Sequence, residues 1–314
     1  MRPDLILLGQ TTVDHVVPAR PGAWRERLGG NALYAAAGAR LWIEPERIGV
    51  VTRVGAGCPF DPRAHLARAG IERVAIAATR REQLVEWFLY EEDGSRRSLP
   101  RNRALRDAGG EGAGAGPEYL AHLEAQSPSA ADVPAQWLPV RAVHIAPQVL
   151  ARHEESLRTL APQSGFVSLD PSPHYSTGRS VEALAFALAP ATALLPSERE
   201  VAHLVGEDGW TGLGQRLAAA GFPEVVIKRG AAGAILCERG RHPERVAPLP
   251  VAVRDPTGAG DAFCGAYAAC RLQGHPPTEA ARRATVAASM VIECEGADTA
   301  LALSPNAARR RLES

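Results

Sequence analysis

Asp255-Pro256-Thr257-Gly258-Ala259-Gly260-Asp261-Ala262-Phe263 is the most informative stretch of the chain. Pro256 fixes a turn, and Gly258 and Gly260 let the backbone approach a ligand closely where a long helix, 258–272, is expected to start. A helix N-terminus offers unpaired N–H groups and the positive end of its dipole, a seat for phosphate. Asp261 falls in the first turn, so its carboxylate stays close to whatever those amides hold. A plain glycine turn followed by an Asp that the dipole favours accounts for the same residues. On physics alone both readings stand.

Outward from this stretch, strand and helix patterns alternate. Apolar and β-branched runs at 140–145, 166–170, 193–195 and 225–228 read as strands, with helical segments between them, notably 197–205 and 213–220. This alternation predicts an α/β fold with a mainly parallel central sheet and helices on both faces. Runs 234–237 and 245–248 read as antiparallel additions, and 258–272, 277–293 and 305–312 as helices. Nearer the N-terminus, 4–9 reads as a short buried strand and 13–17 as a second. Gly29-Gly30-Asn31 opens a small-residue helix through Ala39, 47–54 is a further strand, and 62–69 a short helix. Segments 84–91 and 96–99, joined by Asp93-Gly94, mix aromatics with charges and are expected to be half exposed. The expectation is one domain, 1–314, with a small β lid from about 10–30 and 84–105. The stretch 107–134, Gly/Ala-rich to about 117, then helix-like, then Pro/Ser-rich from 127, reads as an irregular surface excursion.

Composition narrows the function classes. Apolar residues make up 46% and charged residues 22%, which argues against disordered and fibrous architectures. Thirty-five basic residues balance thirty-five acidic ones, so no net charge points to nucleic acid or an anionic membrane. The longest apolar stretch, 181–195, is broken by Glu182 and Pro190 and is too short to span a bilayer. The apolar run 5–8 is shorter than a signal-peptide core. Cysteines 58, 237, 264, 270 and 294 form no C-x-x-C pair, which predicts a reduced, cytoplasmic protein. Lys228 is the only lysine; every other basic residue is arginine.

The 255–261 segment closely resembles the C-terminal signature of the ribokinase (PfkB) carbohydrate kinase family, D-T-x-G-A-G-D, with Pro256 in place of the common Thr. Other family landmarks follow in order. Gly29-Gly30-Asn31 resembles the glycine pair at the sugar site, with Asp14 upstream as the usual substrate-binding acid. Val143-His144-Ile145-Ala146-Pro147 and Leu169-Asp170-Pro171 resemble the ends of central strands. Ser197-x-x-Glu200 stands where the family has N-x-x-E, and Lys228-Arg229-Gly230-Ala231-Ala232-Gly233 resembles its nucleotide-binding turn. The resemblance spans nearly the whole chain.

What the resemblance implies is a ribokinase-like three-layer fold and an ATP-dependent kinase acting on a hydroxyl of a small sugar or sugar-like substrate. Asp261 would be the general base, and the backbone of Gly258, Ala259 and Gly260 the anion hole for the transferred phosphoryl. Asp14, Gly29, Gly30, Asn31 and Tyr34 would bind the substrate. Ser197, Glu200, Lys228, Gly230 and Gly233 would bind ATP, with Glu200 reaching Mg2+ through water. Asp255 and the backbone of Thr257 resemble half of a monovalent-cation site suited to K+, completed by carbonyls around Gly296.

Several of these residues have plainer readings. Ser197-x-x-Glu200 after Pro196 is also a capping box, and Gly230-x-x-Gly233 is also a hairpin turn. Lys228 ends a buried strand, where either a nucleotide or snorkelling would relieve its charge. Asp14 also suits a strand-end turn, and Asp255 could simply cap its own turn. Tyr34 stands where the family often has Asn, a change that alters the shape of the substrate site. Trp24, Trp87 and Phe88 are expected as exposed lid aromatics that cover a substrate ring or pack on a second subunit, so a homodimer is among the expectations. A P-loop kinase is excluded because no lysine stands in a G-x-x-x-x-G-K-[ST] motif. A dinucleotide oxidoreductase lacks its G-x-G-x-x-G after the first strand. The alternatives that remain are a nucleoside kinase of the same fold and a non-catalytic nucleotide- or sugar-binding protein, for which Asp261 would have no use.

Overall fold

Leu5-Ile6-Leu7-Leu8 forms the first strand, β1, and all four side chains are buried because both faces of the strand are covered. Leu5 and Leu7 enter one core layer, Ile6 and Leu8 the other. The computed structural model describes residues 2–17, 25–90, 96–100 and 116–313. Among them β1 joins β4 (Ile48–Ala56), β5 (Arg73–Glu82), β8 (Val140–Ile145), β9 (Ser164–Leu169), β10 (Ala193–Leu194), β11 (Glu224–Lys228), β12 (Ala234–Glu238) and β13 (Glu244–Val246). Their order across the sheet is β13-β12-β11-β10-β9-β8-β1-β4-β5. Every pairing from β11 to β5 is parallel, and β12 and β13 are the antiparallel additions.

Helices close both faces. Asn31–Ala39, Ala259–Leu272 and Pro277–Val291 pack on one, Leu150–Leu160, Val181–Leu188 and Gly209–Ala220 on the other. Two of these helices meet backbone to backbone: a Cβ on Gly38 would overlap Ala262 O, and one on Gly265 would overlap Ala35 O. Small residues in both helices permit that approach, which packs 35–38 of the first helix against 262–265 of the second. A separate four-stranded sheet, β3 (Arg25–Gly29), β2 (Thr12–Val17), β6 (Val85–Tyr90) and β7 (Arg96–Pro100) in that order, is built from the segments expected to form the lid.

Some expectations differ from the structure. The edge strand β5 was not foreseen, because Arg80, Arg81 and Glu82 are exposed and mask its pattern. The helix expected over 197–205 is one turn, Glu198–Val201, followed by a 3₁₀ turn, Ala202–Leu204, before Gly206. The helix-like middle of 107–134 is a helix, as expected, but the stretch 116–134 as a whole is no surface excursion. It forms the helix Pro117–Gln126 and then a buried connection, where Gln10 Nε2 donates to Ser127 Oγ at 2.8 Å and Arg53 pairs with Asp132 at 2.7 Å. Residues 107–115, the Asp93-Gly94 tip and Trp24 lie outside the described residues.

Candidate active site

β1 lies between β4 and β8: the chain runs from β1 out to β4 and β5 on one side and later enters β8 on the other, so the strand order reverses there. Open α/β sheets bind ligands outside the carboxyl ends of strands at such a reversal. A cavity of about 230 Å³ sits there, lined by Gln10 just past β1, Pro147 just past β8, and residues from the small sheet and the Ala259–Leu272 helix.

Each wall has a local cause. Asp14, on β2 and only 2% exposed, faces the cavity; Thr12 Oγ1 donates to its Oδ1 at 2.6 Å. Its carboxylate lies so close over Gly29 that a Cβ there would overlap it. Gly30 has φ 109, and a Cβ would strike Gln10 O, so the entry to the Asn31–Ala39 helix requires glycine. Asn31 joins the ends of β1 and β8: its Oδ1 accepts from Gln10 N–H at 2.6 Å, and its Nδ2 donates to Pro147 O at 3.0 Å. Tyr34 packs its ring where a side chain on Gly258 would be.

The opposite wall is the start of the second helix. Gly258, Thr257 and Asp261 all line the cavity. Gly258 is left-handed, φ 75, and ends the turn that Asp255 organises by accepting from Thr257 N–H at 2.9 Å. Asp255 therefore does cap its turn, and its own N–H donates to Ile292 O at 3.1 Å, bringing the 291–298 segment alongside. In that segment Asp298 Oδ1 is buried without a hydrogen-bond partner, a feature compatible with a cation nearby. Of the three amides expected in the anion hole, that of Ala259 reaches back to Pro256 O at 3.3 Å. No backbone carbonyl among the described residues takes the Gly260 N–H.

The residues expected to bind nucleotide lie elsewhere; none lines the cavity. Ser197 pairs in parallel with Lys228 across β-bridge geometry, so the capped turn and the end of β11 are neighbours. Ser197 and Glu200 form the complete capping box. Gly230 is exposed with open space where a Cβ would stand, whereas Gly233 is needed because a Cβ there would overlap Val246 O. Lys228 does not snorkel. Its ammonium turns inward to Asp170 and to Cys264 Sγ at 3.3 Å. Burial works against the charge on Lys228, but Asp170, Cys264 and Glu200 outweigh it, and its pKa is raised. The face outside Gly260 thus carries an open amide over a buried ammonium, a donor set suited to the phosphates of a nucleotide. Among the described residues no group of three metal-ligating side chains forms a cage. Mg2+ needs no such cage, since it keeps several waters and binds through one or two carboxylates and the substrate's phosphates.

Reasoning on the sequence missed part of the cavity. Glu86 and Phe88, two apart on β6, both face it, while Trp87 between them stacks edge-on against His15 with ring centroids 4.4 Å apart. Phe88, expected to be exposed, is 9% exposed. The period-two alternation of Glu86-Trp87-Phe88 was the available signal. Tyr119, which donates to Glu86 Oε1 at 2.8 Å and meets His174 edge-on at 5.6 Å, had no such signal.

Comparison with known proteins agrees with this fold. The model of the pfkB family carbohydrate kinases matches residues 119–303. The ribokinase of Arabidopsis thaliana is 34% identical over 110 residues, 33% of this chain but only 29% of that relative's length. The cytidine kinase of Thermococcus kodakarensis is 26% identical over 284 residues, 89% of this chain and 92% of that one. The structure of Arabidopsis thaliana ribokinase complexed with ribose and ATP superposes with a TM-score of 0.69 at 20% identity, covering all of both chains (100%). The fold is ribokinase-like. No helix among the described residues is long and apolar enough to cross a membrane.

Proposed function

The chain belongs to the pfkB family of carbohydrate kinases, and from that premise we propose that it transfers the γ-phosphate of ATP to a hydroxyl of a small sugar-like substrate held in the cavity. The observation that carries this reading is the meeting of Asp14, Asn31 and Asp261 around one cavity whose wall is a helix N-terminus. Asp14 and Asn31 bind and orient the substrate's hydroxyls. Asp261 takes the proton from the reacting hydroxyl as its oxygen bonds to the γ-phosphorus. The bond from that phosphorus to the β,γ-bridging oxygen breaks, and ADP leaves with the electron pair. The amides at Gly258 and Gly260 stabilise the charge on the transferred group. Mg2+, carried by the nucleotide and reached by Glu200 through water, would neutralise phosphate charge. Asp255, the Thr257 backbone and the 291–298 segment form the candidate K+ position, tested by the effect of K+ on rate at fixed ionic strength.

A nucleoside is the second reading of the substrate. The aromatic wall of Phe88, Tyr119 and His174 offers flat surfaces for a base, and the long match to a cytidine kinase supports it. A phosphorylation panel of pentoses, hexoses and nucleosides decides between them. The small sheet is read as a lid over this cavity within one kinase domain, and a homodimer is the reading for its assembly. Cytoplasmic placement follows from the need for ATP and is supported by five free cysteines.

Asp261→Asn tests the mechanism. A general base contributes about 10²–10⁴-fold, so kcat should fall by that factor while melting temperature and ATP affinity stay near wild type. A normally folded variant with wild-type kcat would reduce Asp261 to a helix-cap residue.

A further inference from the structure

Lys228 and Asp170 form an ion pair behind the turn that carries Asp261, outside the substrate cavity. They come from the carboxyl ends of β11 and β9, which flank the two-residue β10. Their side chains are 11% and 6% exposed, and Cys264, fully buried, touches both, donating to Asp170 at 3.4 Å. A buried ion pair is a poor staple, since apolar residues of like volume often stabilise as well or better. Its position suggests another use. Gly260 is exposed and has no positive φ, so its backbone does not require glycine. What the missing side chain does is leave a gap: among the described residues beyond Gly260's chain neighbours and its own helix backbone, Lys228 Nζ is the atom that comes within 4 Å of where the Cβ would be, at 3.6 Å. Gly260 is a thin floor between the ammonium and the face where a phosphate would meet the helix amides.

We propose that Lys228 is the cation that meets the terminal phosphate of the nucleotide at Gly260 and distinguishes triphosphate from diphosphate, with Asp170 as the positioning residue that holds it. This rests on the ATP-dependent reading above. The ammonium stays protonated, because Asp170, Cys264 and Glu200 outweigh burial and raise its pKa, so it is a fixed charge and not a proton donor. Without nucleotide, Asp170 and Cys264 accept two of its three N–H donors; a γ-phosphate would supply a second anion on the Gly260 side.

The sole lysine makes the test direct. Protein labelled with 15Nζ-lysine carries one side-chain ammonium signal, which can be followed during titration with ADP and with a non-hydrolysable triphosphate analogue, both with Mg2+. The expected result is a shift with the triphosphate analogue and none with ADP. Equal shifts with both, or none with either while calorimetry records nucleotide binding, would make the pair a structural staple and overturn the proposal. The double variant Lys228→Met/Asp170→Asn removes both charges and leaves no orphaned carboxylate. It should weaken the triphosphate analogue about tenfold, the scale of one charge-assisted contact, and leave ADP affinity unchanged; equal losses for both nucleotides would also overturn it. If wild-type protein binds no nucleotide in the calorimeter, the kinase reading itself falls and this proposal with it.

Discussion

At the scale of single residues, the site depends on glycines that exclude side chains as much as on the groups that carry charge. Gly258 combines φ 75 with a Tyr34 ring in the place of its Cβ. Gly258→Ala therefore meets both a backbone penalty and a steric one, together on the order of 2–4 kcal/mol. Calorimetric melting should show a loss of several degrees, with turnover reduced because Asp261 lies three residues on. Asp14→Asn acts differently. It keeps the shape beside Gly29 and removes the acceptor charge, so KM for the sugar-like substrate should rise about tenfold or more with ATP affinity unchanged. A rise in the KM for ATP instead would remove Asp14 from the substrate site.

At the scale of elements, the two small-residue helices set the geometry of the cavity. Gly265→Ala would drive a methyl into Ala35 O, and Asn31 and Tyr34 at the start of that partner helix would shift. Loss of about 1–3 kcal/mol of stability, the usual range for overpacking, is expected together with a raised substrate KM; a destabilised variant of normal KM would show that the contact serves stability alone. What the sequence made legible follows the same division. The 255–261 turn could be read because its proline, glycines and Asp261 act within seven positions, and the β-branched runs of the central sheet could be read because both their faces are covered. Tyr119 and Glu86 could not be paired from sequence, since a helix after a glycine-rich stretch meets a strand 33 residues earlier. The Asp170–Lys228 contact spans 58 residues and exists only because β9 and β11 flank β10. Local chemistry was visible; chemistry assembled by topology was not.

At the scale of the whole molecule, two histidines buried in the sheet and beside it tie the fold to pH. His144, on β8, bonds through Nδ1 with Ser168 Oγ at 3.0 Å, and His153, on the Leu150–Leu160 helix, bonds with Tyr175 Oη at 2.7 Å and Ala146 O at 2.9 Å. Both are fully buried. Burial, with Lys228 and His153 adding repulsion at His144, depresses their pKa values to about 3 for His144 and about 4 for His153. An unfolded histidine titrates near 6.5. Between that value and the folded ones the unfolded chain binds more protons, so stability is present in full above pH 6.5 and is lost as pH falls toward 4. Each ring contributes a slope on the order of 1 kcal/mol per pH unit in that window. Wild-type protein should therefore melt at progressively lower temperature from pH 6.5 to 4.5. His153→Gln cannot titrate; it should begin less stable at pH 7, having altered two buried hydrogen bonds, yet lose less on acidification. Melting curves of both proteins across pH 4.5–7.5 measure the difference in slope. Parallel curves would mean that His153 is protonated as readily in the fold as outside it, and that the acid sensitivity resides in other groups.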